Sequence, residues 1–156
     1  MATKPTAPRV MSGTHGYVYW DNEAVFEVSS AEAILKPDRE DVTFAGDMWK
    51  DSKLMGVGGE FSLKVKKVFS RAKKLAESFS KGKDPRSEMI LKLDDPDAYG
   101  AERVALHNCW FNDLTFMSFE NGKTAEDEFS GGFTSFDYLD SVAVREEYNA
   151  EYGMRN

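Results

Sequence analysis

One change of rhythm constrains this chain more than any other feature. In GEFSLKVKKVFSRAKKLAESFSKGKDP, Phe61, Leu63 and Val65 alternate as they would along a strand with one buried face. Val65, Val68, Phe69, Ala72, Leu75, Ala76 and Phe79 then recur at three and four residues, the spacing of an apolar stripe on a helix. Gly82 suits a helix C-terminus and Pro85 prevents continuation. The spacing predicts a helix over about residues 66–81, with Lys66, Lys67, Arg71, Lys73 and Lys74 on its polar face. No other segment carries a clear helical period.

The flanking segments read as strands. Residues 17–20 alternate, Asp21 and Asn22 supply turn residues, and alternation resumes over 24–28, which predicts a hairpin. Strand character extends through Ile34 until Pro37 and Asp38 break it, and residues 40–46 form a further short strand. Residues 47–59 mix charges, glycines and the apolar Met48, Trp49, Leu54 and Met55, and read as a long loop or a loose hairpin. Those four side chains are costly to leave in water, so the loop is expected to dock on something. Strands follow at 88–93, with Met89, Leu91 and Leu93 on one face, at 103–110, with Val104, Leu106, Asn108 and Trp110 on one side, and at 113–120. Asn121-Gly122 is a strong hairpin signal leading into residues 124–136. The whole is an α+β pattern, mostly antiparallel β: a β-sandwich or open barrel with one flanking helix. A polar arm (1–10) precedes the domain (11–140). A polar tail (141–156) follows, in which Val142, Val144, Tyr148 and Tyr152 are candidate anchors.

The 156 residues fit one domain with a real core, and 41% hydrophobic content excludes a disordered chain. No apolar run reaches the roughly 18–20 residues of a membrane span, and the N-terminus lacks a secretion signal's apolar core. A lone cysteine excludes an internal disulfide. The net charge of −7 is uneven: residues 64–83 carry 8 basic side chains against 1 acidic, within an otherwise acidic chain. That polarity suits contact with copies of itself or a charged neighbour more than wrapping a nucleic acid.

The stretch LDDPDAYGAERVALHNCW (residues 93–110) invites a chemical reading. Asp94, Asp95 and Asp97 lack calcium-loop spacing, because Pro96 interrupts and no glutamate closes the loop. Asp, Pro and Gly together favour a turn. His107 and Cys109, two apart on one strand face, lack the further ligands of a zinc site and any oxyanion-stabilising nest nearby. GVGG (56–59) precedes a strand and lacks a phosphate loop's Lys-Ser/Thr. No cofactor is indicated and no constellation supports an enzyme. A nucleic-acid-binding module using the basic segment 64–83 stays as the alternative, and a hydrolase built on His107 and Cys109 comes third.

The chain resembles the tail tube proteins of contractile-tailed phages, of PBSX-like defective prophages and of phage-tail-like bacteriocins. The likeness runs through SGTHGYVYWDNE (12–23), residues 41–46, Gly58-Gly59, Asp84-Pro85, LDD (93–95), Gly100, ERV (102–104) and EDE-x5-FTSFD (126–137), and spans roughly residues 10–140. Order and spacing make it specific. The Trp- and Met-rich residues 48–55 and the tail after Val142 depart from it.

The resemblance implies six subunits in a ring that share one inner β-barrel, and rings stacked into a hollow tube inside a sheath. Partners so implied are other copies, the tail sheath protein, and baseplate, initiator and terminator proteins, with DNA passing through the lumen and no membrane anchor. The implied location is the virion tail, assembled in the host cytoplasm. Within that frame Met48, Trp49, Leu54 and Met55 become inter-subunit candidates. Glu88, Glu102, Glu126 and Asp127 become lumen candidates, and Lys66, Lys67, Arg71, Lys73 and Lys74 face the sheath.

Overall fold

The computed structural model describes residues 4–144. Eight strands appear in chain order: β1 (Gly16–Trp20), β2 (Glu23–Ala24), β3 (Val28–Val42), β4 (Asp51–Lys66), β5 (Ser87–Leu93), β6 (Glu102–Thr115), β7 (Glu126–Phe133) and β8 (Ser135–Asp140). One helix, α1 (Lys73–Ser80), separates β4 from β5. All pairings are antiparallel, in the order β2-β1-β5-β6-β7-β4-β3, and β8 also pairs β6.

β6 turns one sheet into two layers. Its first part pairs β5 and β8, while Trp110–Thr115 pairs β7. Asn108 has φ 54° at the bend, a left-handed conformation that asparagine tolerates better than most residues. The layers close over Val18 and Met89 on one side and Phe61, Leu63, Val65 and Phe129 on the other. Trp20 of β1 meets Phe129 of β7 edge to face at 5.1 Å, which ties the layers together. Burying each large apolar side chain here contributes about 1.5–3 kcal/mol. Close approach at the bend requires Gly131, because a Cβ there would lie 1.8 Å from the Trp110 carbonyl oxygen.

The alternation of Phe61, Leu63 and Val65 is realised as read, since all three are buried and their neighbours are not. The Asp21-Asn22 turn is realised too, with φ of 50° and 68° linking β1 to β2. Gly82 closes the helix with φ 76°, its N–H donating to Phe79 O at 3.0 Å.

Four expectations change. The strands expected at 103–110 and 113–120 are one continuous strand, β6, which ends at Thr115. The helix begins at Lys73, not near residue 66, because β4 is laddered to β3 and β7 as far as Val65, and to β7 through Lys66. Val68 and Phe69 have helical spacing but are exposed, so they belong to no buried stripe. β3 runs through Pro37 without a break: it is an edge strand, where a missing N–H is tolerated, and a bulge follows at Asp38/Arg39. Of the two readings of residues 47–59, the hairpin is nearer: 51–59 are the first half of β4, paired with β3, and 43–50 are the connection.

Candidate assembly surfaces

Four strands, β6-β7-β4-β3, form a sheet with one face in the core and one in solvent. Register places Glu32, Glu60, Ser62, Lys64, Glu126, Glu128, Ser130 and Asp113 together on the outer face. Acidic side chains outnumber Lys36, Lys64 and Lys66 there, and a Lys36–Glu60 pair at 2.7 Å crosses two strands. Both lateral edges of this sheet are open among the described residues. β3 pairs only β4 over nearly its whole length, and Trp110–Thr115 pairs only β7. Open edges invite pairing with another chain.

Beyond Gly59, β4 leaves β7 and continues with β3 as a two-stranded arm. Met48, Trp49, Leu54 and Met55 all lie on it, exposed, joined by Phe44 and Val57. Met48 is 97% exposed and Trp49 84%, so neither is covered by its own subunit.

The basic residues do not share one helix face. Lys66 ends β4 on the outer face of the four-stranded sheet. The Lys67 ammonium sits 2.8 Å from Asp127 and donates to Phe116 O at 3.0 Å. Arg71 is engaged by Glu27; burial opposes ionisation of Glu27, but the guanidinium and a backbone N–H together outweigh it and hold the carboxyl below the usual range. Only Lys73 and Lys74 remain exposed on the helix. That dispersal removes the continuous cationic face a nucleic-acid-binding helix needs.

The four acidic candidates separate. Glu126 lies on the outer face of the four-stranded sheet. Asp127, one residue on, points into the subunit, 1% exposed and bound to Lys67, so it is not a lumen group. Glu102 lines a cleft of about 670 Å³ between β1, β3, β5 and β6, beside Val18, Val28 and Val104. Glu88 lies on the outer face of the other layer, where His107 is held between Glu88 (2.6 Å) and Asp137 (2.7 Å).

His107 and Cys109 do not share a face. The bulge in β6 opposite Ser87–Met89 breaks the alternation, and Cys109 turns into the core at 0% exposure. Burial pushes its thiol up to about 12, so it is no thiolate nucleophile. The three aspartates form a turn. Asp95 accepts from the backbone N–H groups of Asp97 (2.9 Å) and Ser12 (3.0 Å), and these hold its carboxyl below the ordinary value. Arg9 donates to Asp97 O at 3.0 Å, which ties the N-terminal segment to this turn. Val142 packs at Gly100, whereas Tyr148 and Tyr152 lie outside the described residues. Among the described residues no helix is long and apolar enough to cross a membrane.

Sequence reasoning expects sheet edges that need pairing but identifies neither the two strands that form them nor the reach of the arm. Strand pairing between distant segments sets both, and no local pattern reports it.

Comparison with known proteins places these surfaces in context. A family described as phage tail tube protein matches residues 3–140. The phage-like element PBSX protein XkdM of Bacillus subtilis (strain 168) is 27% identical over 140 residues, covering 88% of this chain and 95% of that protein. A chain of the anti-feeding prophage cap structure, the tube-terminating cap, shares the fold with a TM-score of 0.70 at 10% identity, over 90% of this chain and 95% of that one. A chain of the extended sheath–tube complex of the extracellular contractile injection system PVC has a TM-score of 0.63 at 12% identity, covering 85% and 93%.

Proposed function

The chain belongs to the phage tail tube protein family and is a structural tube subunit, and from that premise we propose how it closes. The observation that carries the reading is the pair of open edges on the β6-β7-β4-β3 sheet. β3 of one copy pairs with the Trp110–Thr115 edge of the next. A heterologous contact repeated by rotation closes into a ring, here of six subunits, and removes both open edges of this sheet. The outer face of this sheet becomes the lumen wall, lined by Glu32, Glu60, Asp113, Glu126 and Glu128. An acidic surplus repels phosphates, so DNA slides through. The other layer and the helix, with Lys73 and Lys74, lie outside and face a sheath. Terminator and baseplate proteins cap the stack, and assembly takes place in the host cytoplasm.

Hydrogen exchange before and after assembly tests the closure. Amides of β3 and of residues 110–115 are expected to gain protection in rings, while β7, already paired on both sides, changes little. Rings that form without slowing exchange at either edge would remove edge-to-edge closure.

A further inference from the structure

The core is left open on one side of the subunit. The cleft of about 670 Å³ between β1, β3, β5 and β6 is walled by Val18, Val28, Leu91 and Val104. Val18 is buried, but the other three pack against the central cluster while only partly covered. Register puts Glu102 on the same wall, since Leu91 faces Val104 and Leu93 faces Glu102 across adjacent strands. Glu102 has no ion partner among the described residues. Lys92, the other charged residue at the cleft, turns its ammonium to Asp94 at 3.4 Å and to the Tyr17 ring at 5.6 Å. Both ends of the chain meet at this rim. Arg9 donates to Asp97 O and lies over the Tyr99 ring at 5.2 Å, and Ser12 N donates to Asp95. β8 runs antiparallel to β6, pairs Asp140 with Arg103, and brings Val142 Cγ2 to 3.3 Å from where a Cβ on Gly100 would stand.

We infer that the C-terminal tail, residues 145–156, turns back over this rim and seats Tyr148 in the cleft of its own subunit, with Arg145 against Glu102. Reach selects that occupant first. Gly100 is two residues from Glu102, about 7 Å, whereas the six residues from Val142 to Tyr148 span up to about 20 Å. Side-chain chemistry agrees. Val144 is exposed, Tyr148 is the next large apolar side chain, and Arg145 lies between them as a partner for the unpaired carboxylate. An aromatic ring suits an apolar cleft of this size and keeps its hydroxyl for the wet mouth. A tether this short also holds the tail at a millimolar effective concentration, which favours it over a free competitor. Ser29, Ser30 and Ala31 of β3 line the opposite side, so a seated tail braces the start of β3 against the β1-β5-β6 layer. The family match stops at residue 140, so this contact lies outside the part of the chain shared with the family. It is made within one subunit and does not depend on how rings close.

Two experiments on the unassembled full-length subunit test it. Tyr148→Cys combined with Val28→Cys or with Val104→Cys is expected to oxidise, under diamide, to a disulfide within one chain. A non-reducing gel and mass spectrometry read it as a product of monomer mass. Tyr148→Cys combined with Val57→Cys on the arm should not pair, and Tyr148→Cys alone should stay reduced, because Cys109 is buried. In the Tyr148→Cys, Val28→Cys background, Glu102→Arg or Arg145→Glu is expected to slow disulfide formation by about two- to fivefold, the scale of a partly exposed ion pair. The two exchanges together should restore the rate, which a merely structural role for either residue would not do. A disulfide that forms no faster to the cleft wall than to the arm would overturn the inference. So would a disulfide formed only between two chains, which would put the tail in a neighbouring copy, or a double exchange that recovers nothing.

Discussion

His107 has a carboxylate at each ring nitrogen, and neutral imidazole carries only one N–H to share between them. The cation satisfies both, so donating to Glu88, and then to Asp137, raises the His107 pKa. Glu88 is shifted the other way, chiefly by the Asn108 N–H and then by His107. The groups facing this clasp come from three strands, and Asp21, which accepts from the Glu88 N–H, adds a further negative charge. A raised histidine pKa contributes stability in full below the unfolded value, near 6.5, and loses it as pH rises through the folded value. A depressed Glu88 contributes above its unfolded value and loses it as pH falls through the folded one. The clasp therefore has a plateau between the two and weakens on either side. An imidazole NMR titration is expected to place the His107 midpoint above that of free histidine, and Glu88→Gln to lower it; a midpoint at or below the free value would refute the clasp. Lys67 and Asp127 behave asymmetrically, because the lysine side chain is 26% exposed and the aspartate 1%. Lys67→Met strands a buried carboxylate and is expected to cost about 3–5 kcal/mol. Asp127→Asn leaves a lysine that reaches water and should cost less, about 1–2 kcal/mol. Urea denaturation distinguishes the two; equal losses would contradict the asymmetry.

The arm is the least supported element of the subunit. Past Gly59 it is a two-stranded ribbon with both faces exposed, and such ribbons are marginal in water. Trypsin is expected to cut first beside Lys50 and Lys53 in the free subunit and to leave both bonds intact in assembled tubes. Equal cleavage rates in the two states would show that assembly leaves the arm uncovered. This element also shows what local pattern reveals and what it hides. Phe61, Leu63 and Val65 announced a strand because their own subunit buries them. Residues 51–58 follow no such alternation, since no core lies against either face, and they read as a loop or a loose hairpin. Val68 and Phe69 had helical spacing that refers to no helix. Asp21-Asn22 and Gly82 were legible because a positive φ is a local demand. The bend at Asn108, which separates His107 from Cys109, arises from β6 serving two layers at once, and no spacing within residues 103–110 encodes it. Among the site residues, the arm's apolar side chains could be picked from the sequence, whereas the separation of Glu126 from Asp127 required the strand register.

At the scale of the whole molecule, the polar outer face of the β6-β7-β4-β3 sheet decides what kind of tube this subunit builds. Its acidic side chains exceed its lysines, and the proposed ring would repeat that surplus around its wall. Converting Glu60, Asp113 and Glu128 to lysine reverses the balance without touching the buried face. Tubes of that variant are expected to bind a short linear duplex, with affinity falling steeply as salt rises, by about 0.9 in log–log slope for each phosphate neutralised. Wild-type tubes should bind little at the same salt. A closed DNA circle has no end to enter a narrow lumen, so the variant should retain the linear duplex and not the circle. Fluorescence anisotropy with the duplex and co-sedimentation with the circle read the two arms. Equal capture of both forms would put this face on the outside of the tube. Capture of neither, in tubes of normal length, would show that the face lies buried between subunits. Selective retention of the linear form follows only if the sheet's outer face is the lumen, because the placement of the charges, and not their total, separates the three outcomes.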